Sequence, residues 1–290
     1  MKFFFTDFIL ICFFLFIFIE NCLCYKPVFI IHGILSKNVS MKILEKRIKQ
    51  LHPSTIVSSC DRYDDIGSLE PMWIQVEKIG EDLLDFSSKY PDGIHLIGYS
   101  QGGLIARGIL QKYPNHNVKT FISLSSPQAG QYGTQFLHIL FPGVVKEEAY
   151  KLFYTNAGQW IAVGNYWNDP HKQDLYYNYS IFLPVINNEV PSKRDPNYKE
   201  GLTNLEKMIL IGGPEDEIIT PWQSSVFGYY NDNETVEMMQ DRTLYKDDYC
   251  GLKTLDENNK LKVFIVDGVR HLAWRKNQTV IDNYIIPYLD

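Results

Sequence analysis

Ser100 stands midway between two glycines, Gly98 and Gly102, inside the run HLIGYSQGG from His95 to Gly103. A serine after a short apolar run and before a segment of helical period is presented on a tight turn, with no room for side chains two positions to either side. Its hydroxyl is a weak nucleophile at neutral pH and needs a neighbouring base. The first amides of the following helix, that of Gln101 foremost, face the place where an oxyanion would form. The chemistry open to such a serine is acyl transfer.

The base and its acid are sought further along the chain, because one recurring order for this constellation is serine, then acid, then histidine. The apolar run Met208 to Ile211 leads into GGPEDEIITP, where Glu215, Asp216 and Glu217 compete for the acid's place. Asp216, upstream of Pro221, is preferred because the two glutamates flanking it point away from a common partner. Asp61, after an earlier apolar run, is the main rival. Beyond these candidates the chain holds one histidine, His271, in GVRHLAW just after the apolar run Val263 to Val266, where a strand end can aim it at the serine.

A second oxyanion donor is expected from the loop after an early strand. His32 and Gly33 follow Val28 to Ile31 at once, which points to the Ile34 amide and gives His32 a structural part. His95 reads as packed in a strand, and His52, His116 and His138 lack partners at useful spacing. His171 lies near Asp169 and Asp174, yet no two-histidine spacing supports a metal there. No phosphate loop or dinucleotide fingerprint occurs, so the expectation is an enzyme with no metal and no cofactor.

Elements that could hold these residues together follow from the apolar pattern. Val28 to Ile31, Thr55 to Ser59, Ile94 to Gly98, Val118 to Leu124, Met208 to Ile211 and Val263 to Val266 are short apolar runs of the kind that form buried strands. Between them Met41 to Leu51, the stripe Trp73, Val76, Ile79, Leu83 and Phe86, and Leu104 to Tyr113 read as helices, with Thr279 to Tyr288 closing the chain. That alternation predicts an α/β fold, a mostly parallel central sheet with helices on both faces. The rhythm fails between Gln131 and Lys207, a stretch dense in aromatics that include Phe136, Phe141, Phe153, Tyr154, Trp160, Tyr166, Trp167, Tyr176, Tyr177, Tyr179 and Phe182. Residues 131–207 are read as an inserted cap over the carboxyl edge of the sheet, where ligands bind in open α/β folds.

The 290 residues are 45% hydrophobic, enough for one large core and too few for two catalytic domains. Lys2, the apolar run Phe8 to Ile19, and Cys22, Leu23 and Cys24 before Tyr25 read as a signal peptide over residues 1–24. Twelve helical residues rise about 18 Å against roughly 30 Å of hydrocarbon, so no stable membrane span is expected. Loss of Lys2, Asp7 and Glu20 takes 28 basic and 34 acidic residues to 27 and 32, a mildly acidic chain without a basic stripe, which disfavours nucleic acid. Cys60 and Cys250 remain as a possible disulfide or as two buried thiols. Asn38, Asn178, Asn233 and Asn277 head glycosylation sequons, which fits a secreted or lysosomal destination.

The blocks HLIGYSQGG, FISLSSPQAGQYG (Phe121 to Gly133), GNYWNDP (Gly164 to Pro170), LIGGPEDEIITPWQSSVFGYY (Leu210 to Tyr230), CGLKTL (Cys250 to Leu255) and GVRHLAW are spread along the chain after the leader. In that order they resemble the palmitoyl-protein thioesterase family, and within it the second, lysosomal type. The resemblance implies the α/β-hydrolase fold and hydrolysis of long-chain acyl thioesters such as palmitoyl-CoA. It implies Ser100 as nucleophile, Asp216 as acid, His271 as base, and the Ile34 and Gln101 amides as oxyanion donors. The family's cysteine pattern is not fully reproduced, so its disulfides do not transfer. Without the resemblance the residues equally suit a carboxylic ester lipase, and a non-catalytic lipid carrier is the third reading, since a fold does not fix a function.

Overall fold

Six parallel strands form the centre of the computed structural model, which describes residues 25–290. The signal peptide expected at residues 1–24 lies outside the described residues. The strands are β1 (Val28–Ile31), β2 (Val57–Ser59), β3 (Ile94–Tyr99), β4 (Val118–Leu124), β5 (Lys207–Gly212) and, after a two-stranded hairpin of β6 (Tyr229–Tyr230) and β7 (Val236–Glu237), β8 (Leu261–Ile265). Their spatial order is β2-β1-β3-β4-β5-β8. Chain order and spatial order therefore reverse around β1, and the crevice outside the strand ends on the two sides of β3 is where an open α/β sheet binds its ligand.

Alternation along each strand divides the core into two layers. Phe29, Ile31, Leu96, Phe121, Met208 and Leu210 point to one face, and Val28, Ile30, Ile97, Ile122, Ile209 and Ile211 to the other. Against the second face pack Leu44 and Ile48 of α1 (Lys42–Leu51), together with Val280, Ile281 and Ile285 from the end of the chain. The first face is covered by α2 (Met72–Ser88), through Met72, Val76, Ile79 and Leu83, and by α3 (Gln101–Lys112). Every residue of β3 is buried, as a central strand covered on both faces requires.

Sequence expectations shift at the margins. The last strand begins at Leu261, two residues before the expected run, and as the sheet's edge it leaves Val263 and Ile265 exposed. The closing helix is broken into Gln278–Val280, a wider turn at Ile281–Ile285 and a tight one at Ile286–Tyr288. Pro287 carries no N–H to continue an α-helix, and Asn277 starts the segment by accepting from the Val280 amide at 3.3 Å.

Between β4 and β5 the chain makes six short helices: α4 (Thr134–Leu140), α5 (Tyr150–Phe153), α6 (Ala162–Tyr166), α7 (Gln173–Tyr179), α8 (Leu183–Ile186) and α9 (Pro196–Thr203). Most of the aromatic rings of this stretch are packed inside. Phe153, Tyr154, Tyr166, Trp167, Tyr176 and Phe182 are each at most 4% exposed, with Phe153 and Trp167 ring centroids 5.3 Å apart. Trp160, by contrast, is 70% exposed. Two further short helices, α10 (Thr243–Lys246) and α11 (Leu252–Glu257), precede β8. Among the described residues no helix is long and apolar enough to cross a membrane.

Cys60 and Cys250 are both free and buried, so the possible disulfide between them is not formed. Their surroundings differ: Cys60 follows β2, its thiol beside the Arg62 carbonyl, whereas Cys250 precedes α11 near Arg107 and Glu189. Burial pushes the Cys60 thiol up to about 12 and the Cys250 thiol up to about 11, so each stays protonated.

Candidate active site

Ser100 sits between the end of β3 and the first turn of α3 with φ 54° and ψ −129°, a backbone state that L-residues rarely occupy. The turn closes only because its neighbours lack side chains. A Cβ on Gly98 would run into the Gly102–Gly103 backbone, and one on Gly102 into the carbonyls of Ile31 and His32. Gly33 packs as closely, since a Cβ there would lie 2.9 Å from that of Ser100. The Gly33–Ile34 segment is thus pressed against the serine, and Gln101, as first residue of α3, has an amide without an acceptor inside its helix.

The side chain of Gln101 is fixed from two sides. Its Nε2 donates to the Ser68 carbonyl at 2.8 Å, and the Tyr166 hydroxyl donates to its Oε1 at 3.0 Å, tying the turn to the segment before α2 and to α6. His32 is equally occupied: Nδ1 lies 2.9 Å from the Gly33 carbonyl and Nε2 3.1 Å from that of Arg62. Both contacts hold the loop in place and keep His32 away from Ser100.

His271, 5% exposed, reaches Ser100 from the loop after β8, with Nε2 3.0 Å from Oγ. Its other nitrogen, Nδ1, is 3.0 and 2.9 Å from the two carboxylate oxygens of Asp216, in the loop after β5. Three strand ends thereby bring together residues that are 171 and 55 positions apart in the chain. Asp216 is held by amides as well: those of Ile218 and Ile219 each donate to Oδ1 at 3.0 Å, and the Trp274 indole donates to Oδ2 at 2.9 Å. Burial works to raise the Asp216 carboxyl, but the hydrogen bond and charge of His271, the Ser125 hydroxyl and the Ile219 amide outweigh it and hold it below its ordinary value.

The rival acids are engaged elsewhere. Glu217 accepts from the backbone amide of His271 at 3.1 Å and Glu215 from that of Gly268 at 2.6 Å, so neither meets the ring. Asp61 is exposed beyond β2, at the sheet's edge. His95 is buried with Nε2 3.0 Å from Asp290, His52 stacks on Tyr25, His116 faces the Gly201 carbonyl, and His171 stands 3.0 Å from Glu234. His138 is exposed on α4. Among the described residues no group of three or more histidine, cysteine or acidic side chains is placed to hold a metal.

Ser100 and His271 open onto a cavity of ≈ 310 Å³. Its walls are mainly aliphatic: Ile34 and Leu35 from the loop after β1, Ile139 and Leu140 from α4, and Ile218 and Leu272 beside the acid and the base. Of the aromatics marked in the sequence only Phe136 lines it, beside Ile139 and Leu140 of the same stretch. Most of the other rings face inward into the same core as the sheet face that carries Phe29, Leu96 and Phe121, and Phe182 stands edge-on to Trp73 of α2. The sequence did hold a signal for the true lining, since Leu35 and Leu272 each lie within two residues of a site residue. Ser125, Tyr99 and Trp274 were missed as well, and Tyr99 holds the His271 backbone by donating its hydroxyl to the His271 carbonyl at 2.9 Å.

A serine on a glycine-flanked turn after a central strand, with an aspartate and a histidine beyond the ends of later parallel strands, is the arrangement of an α/β hydrolase. The solved structure of mature Bacillus licheniformis lipase BlEst2 shares the fold, with a TM-score of 0.55 at 13% identity over 92% of this chain and 93% of that one. The family model of palmitoyl protein thioesterase matches residues 27–271. A lysosomal thioesterase PPT2 homolog of Drosophila melanogaster is 50% identical over 94% of this chain and 94% of its own. The human lysosomal thioesterase PPT2 is 42% identical over 91% and 88%, and palmitoyl-protein thioesterase 3 of Dictyostelium discoideum 35% over 91% and 92%. This chain belongs to the palmitoyl protein thioesterase family.

Proposed function

We propose that this protein hydrolyses long-chain fatty acyl thioesters, palmitoyl-CoA or a similar S-acylated thiol, through an acyl-enzyme on Ser100. The observation that carries the reading is the unbroken run of contacts from Asp216 through His271 to Ser100 in a chain of this family. His271 Nε2 takes the Ser100 proton as Oγ adds to the thioester carbonyl, and the Nδ1–H stays hydrogen-bonded to Asp216. The amides of Ile34 and Gln101 hold the oxyanion. Collapse of the tetrahedral adduct breaks the carbon–sulfur bond, and the departing sulfur, as a thiol of pKa about 8.5, takes the proton from His271 and leaves Nε2 bare again. Water, deprotonated by the same nitrogen, then cleaves the ester and frees the fatty acid and Ser100.

The apolar cavity beside Ser100 receives the first part of the acyl chain, and each methylene withdrawn from water contributes about 0.8 kcal/mol. In this reading residues 131–207 cap the site through Phe136, Ile139 and Leu140. The names of the relatives support a lysosomal destination, with glycans at the sequons. Asn178 and Asn233 are exposed, while Asn38 and Asn277 are half-buried.

Specificity constants for a palmitoyl thioester and its oxygen ester test the substrate class. The proposal expects the thioester to be favoured, and a large preference for the oxygen ester would make the protein a lipase. Labelling of Ser100 by a serine-reactive phosphonate in the folded protein separates either enzyme from a lipid carrier.

A further inference from the structure

Ser125 touches both members of the acid–base pair and has no part in the reaction as proposed. It is the first residue after β4, as Ser100 is after β3, and it is fully buried. Its backbone is pinned to the neighbouring strand by a 2.7 Å bond from its amide to the Ile211 carbonyl. Its φ of 45° lies in the left-handed region, which residues other than glycine seldom adopt. Such a conformation persists only where the surroundings over-determine it.

That conformation puts the hydroxyl where one group can serve two partners. The Ser125 hydroxyl donates to Asp216 Oδ2, and the same oxygen lies 3.2 Å from His271 Nδ1. With the single proton directed at Asp216, a lone pair is left facing the Nδ1–H. That hydrogen then meets oxygen from residue 125 as well as from residue 216, and the ring cannot turn without losing both.

We infer that Ser125 is a positioning residue for this hydrolysis, holding the His271 ring with Nδ1–H toward Asp216 and Nε2 free for Ser100. Its site is also a second seat from which a carboxylate can orient the same ring. The inference rests on the proposed roles of Ser100, His271 and Asp216. Aspartate suits the seat better than most residues, since it is among the side chains that tolerate the left-handed region.

Thiol release from palmitoyl-CoA is measured against pH for the wild type, Ser125→Ala, Asp216→Asn and Asp216→Asn/Ser125→Asp, each checked for folding by circular dichroism. The other groups facing the ring and its partners, Glu217, Tyr99 and Arg275, are kept in all four. Ser125→Ala is expected to lower kcat about tenfold with KM unchanged, in line with about 1.4 kcal/mol of transition-state stabilisation. Asp216→Asn is expected to lose about 10³–10⁴ in kcat, and the double variant to regain at least about tenfold of that loss.

A Ser125→Ala enzyme with wild-type kcat overturns the positioning role. A folded double variant no faster than Asp216→Asn overturns the second seat. If the double variant does not fold, Ser125→Ala, which removes a single heavy atom, still decides the positioning role, and folded Asp216→Glu/Ser125→Ala decides the seat. In that variant a longer carboxylate reaches into the vacated space, and turnover no higher than in Asp216→Asn counts against the idea. Wild-type turnover by Ser100→Ala would instead remove the parent mechanism and leave the contacts of Ser125 as they are.

Discussion

Trp274 and Asp216 are joined by a 2.9 Å hydrogen bond from the indole N–H to the carboxylate, with both side chains buried. A donor to a buried charge is worth about 1.5–3 kcal/mol, more than a neutral pair. Trp274→Phe keeps most of the ring and removes the donor. We expect its urea midpoint to fall by that amount of stability with the slope unchanged; a midpoint equal to the wild type's would show that the carboxylate is held without the indole.

The depressed Asp216 carboxyl gives a pH signature of fixed sign. Its folded value lies below the unfolded one, so ionisation contributes stability that is fully present above about 3.9 and is lost as pH falls through the folded value. Unfolding free energies of the wild type and Asp216→Asn should differ at neutral pH and approach each other below the usual carboxylate range. In the proposed mechanism turnover behaves differently, because His271 must offer a bare Nε2. Acidification should reduce kcat/KM while Asp216 is still ionised and the protein still folded, and a rate that declined only together with unfolding would contradict that order.

The exposed wall of the cavity offers a test of where the acyl chain lies. Ile139 lines the cavity and is 58% exposed, so Ile139→Asp should alter stability by no more than about 0.5 kcal/mol. It should raise KM for a palmitoyl thioester about tenfold, the equivalent of about two methylenes' burial, and leave an acetyl thioester unaffected. Equal effects on both substrates would place the chain elsewhere.

Buried, protonated thiols at Cys60 and Cys250 should not react with a disulfide reagent in the folded protein, and both should react once denaturant is added. Reductant should leave the melting temperature unchanged. A reductant-sensitive transition, or no thiol released on unfolding, would mean that the two cysteines pair.

Residue type carried much of this site in the sequence. A serine between Gly98 and Gly102 admits few uses, and His271 follows the acid candidates alone, so the constellation that the structure brings into contact could be picked out from order and spacing. Ser125 and Trp274 could not, because their importance comes from the approach of β4 and the loop after β8 to one carboxylate, and nothing local in either segment marks it. The facing of the aromatics between Gln131 and Lys207 was hidden for a related reason. Composition announces an apolar purpose, but which way Phe153 or Trp167 points is decided by short helices packing on one another. The strands were legible because burial on both faces demands continuous apolar runs, and the two edge strands, β2 and β8, are where the reading slipped by two residues.

Purified wild type and Ser100→Ala, matched for folding, incubated with palmitoyl-CoA while free thiol is followed, give the most direct test of the central claim. The account predicts steady release by the wild type and at least about 10³-fold less by the alanine variant. Equal release by the two would contradict it.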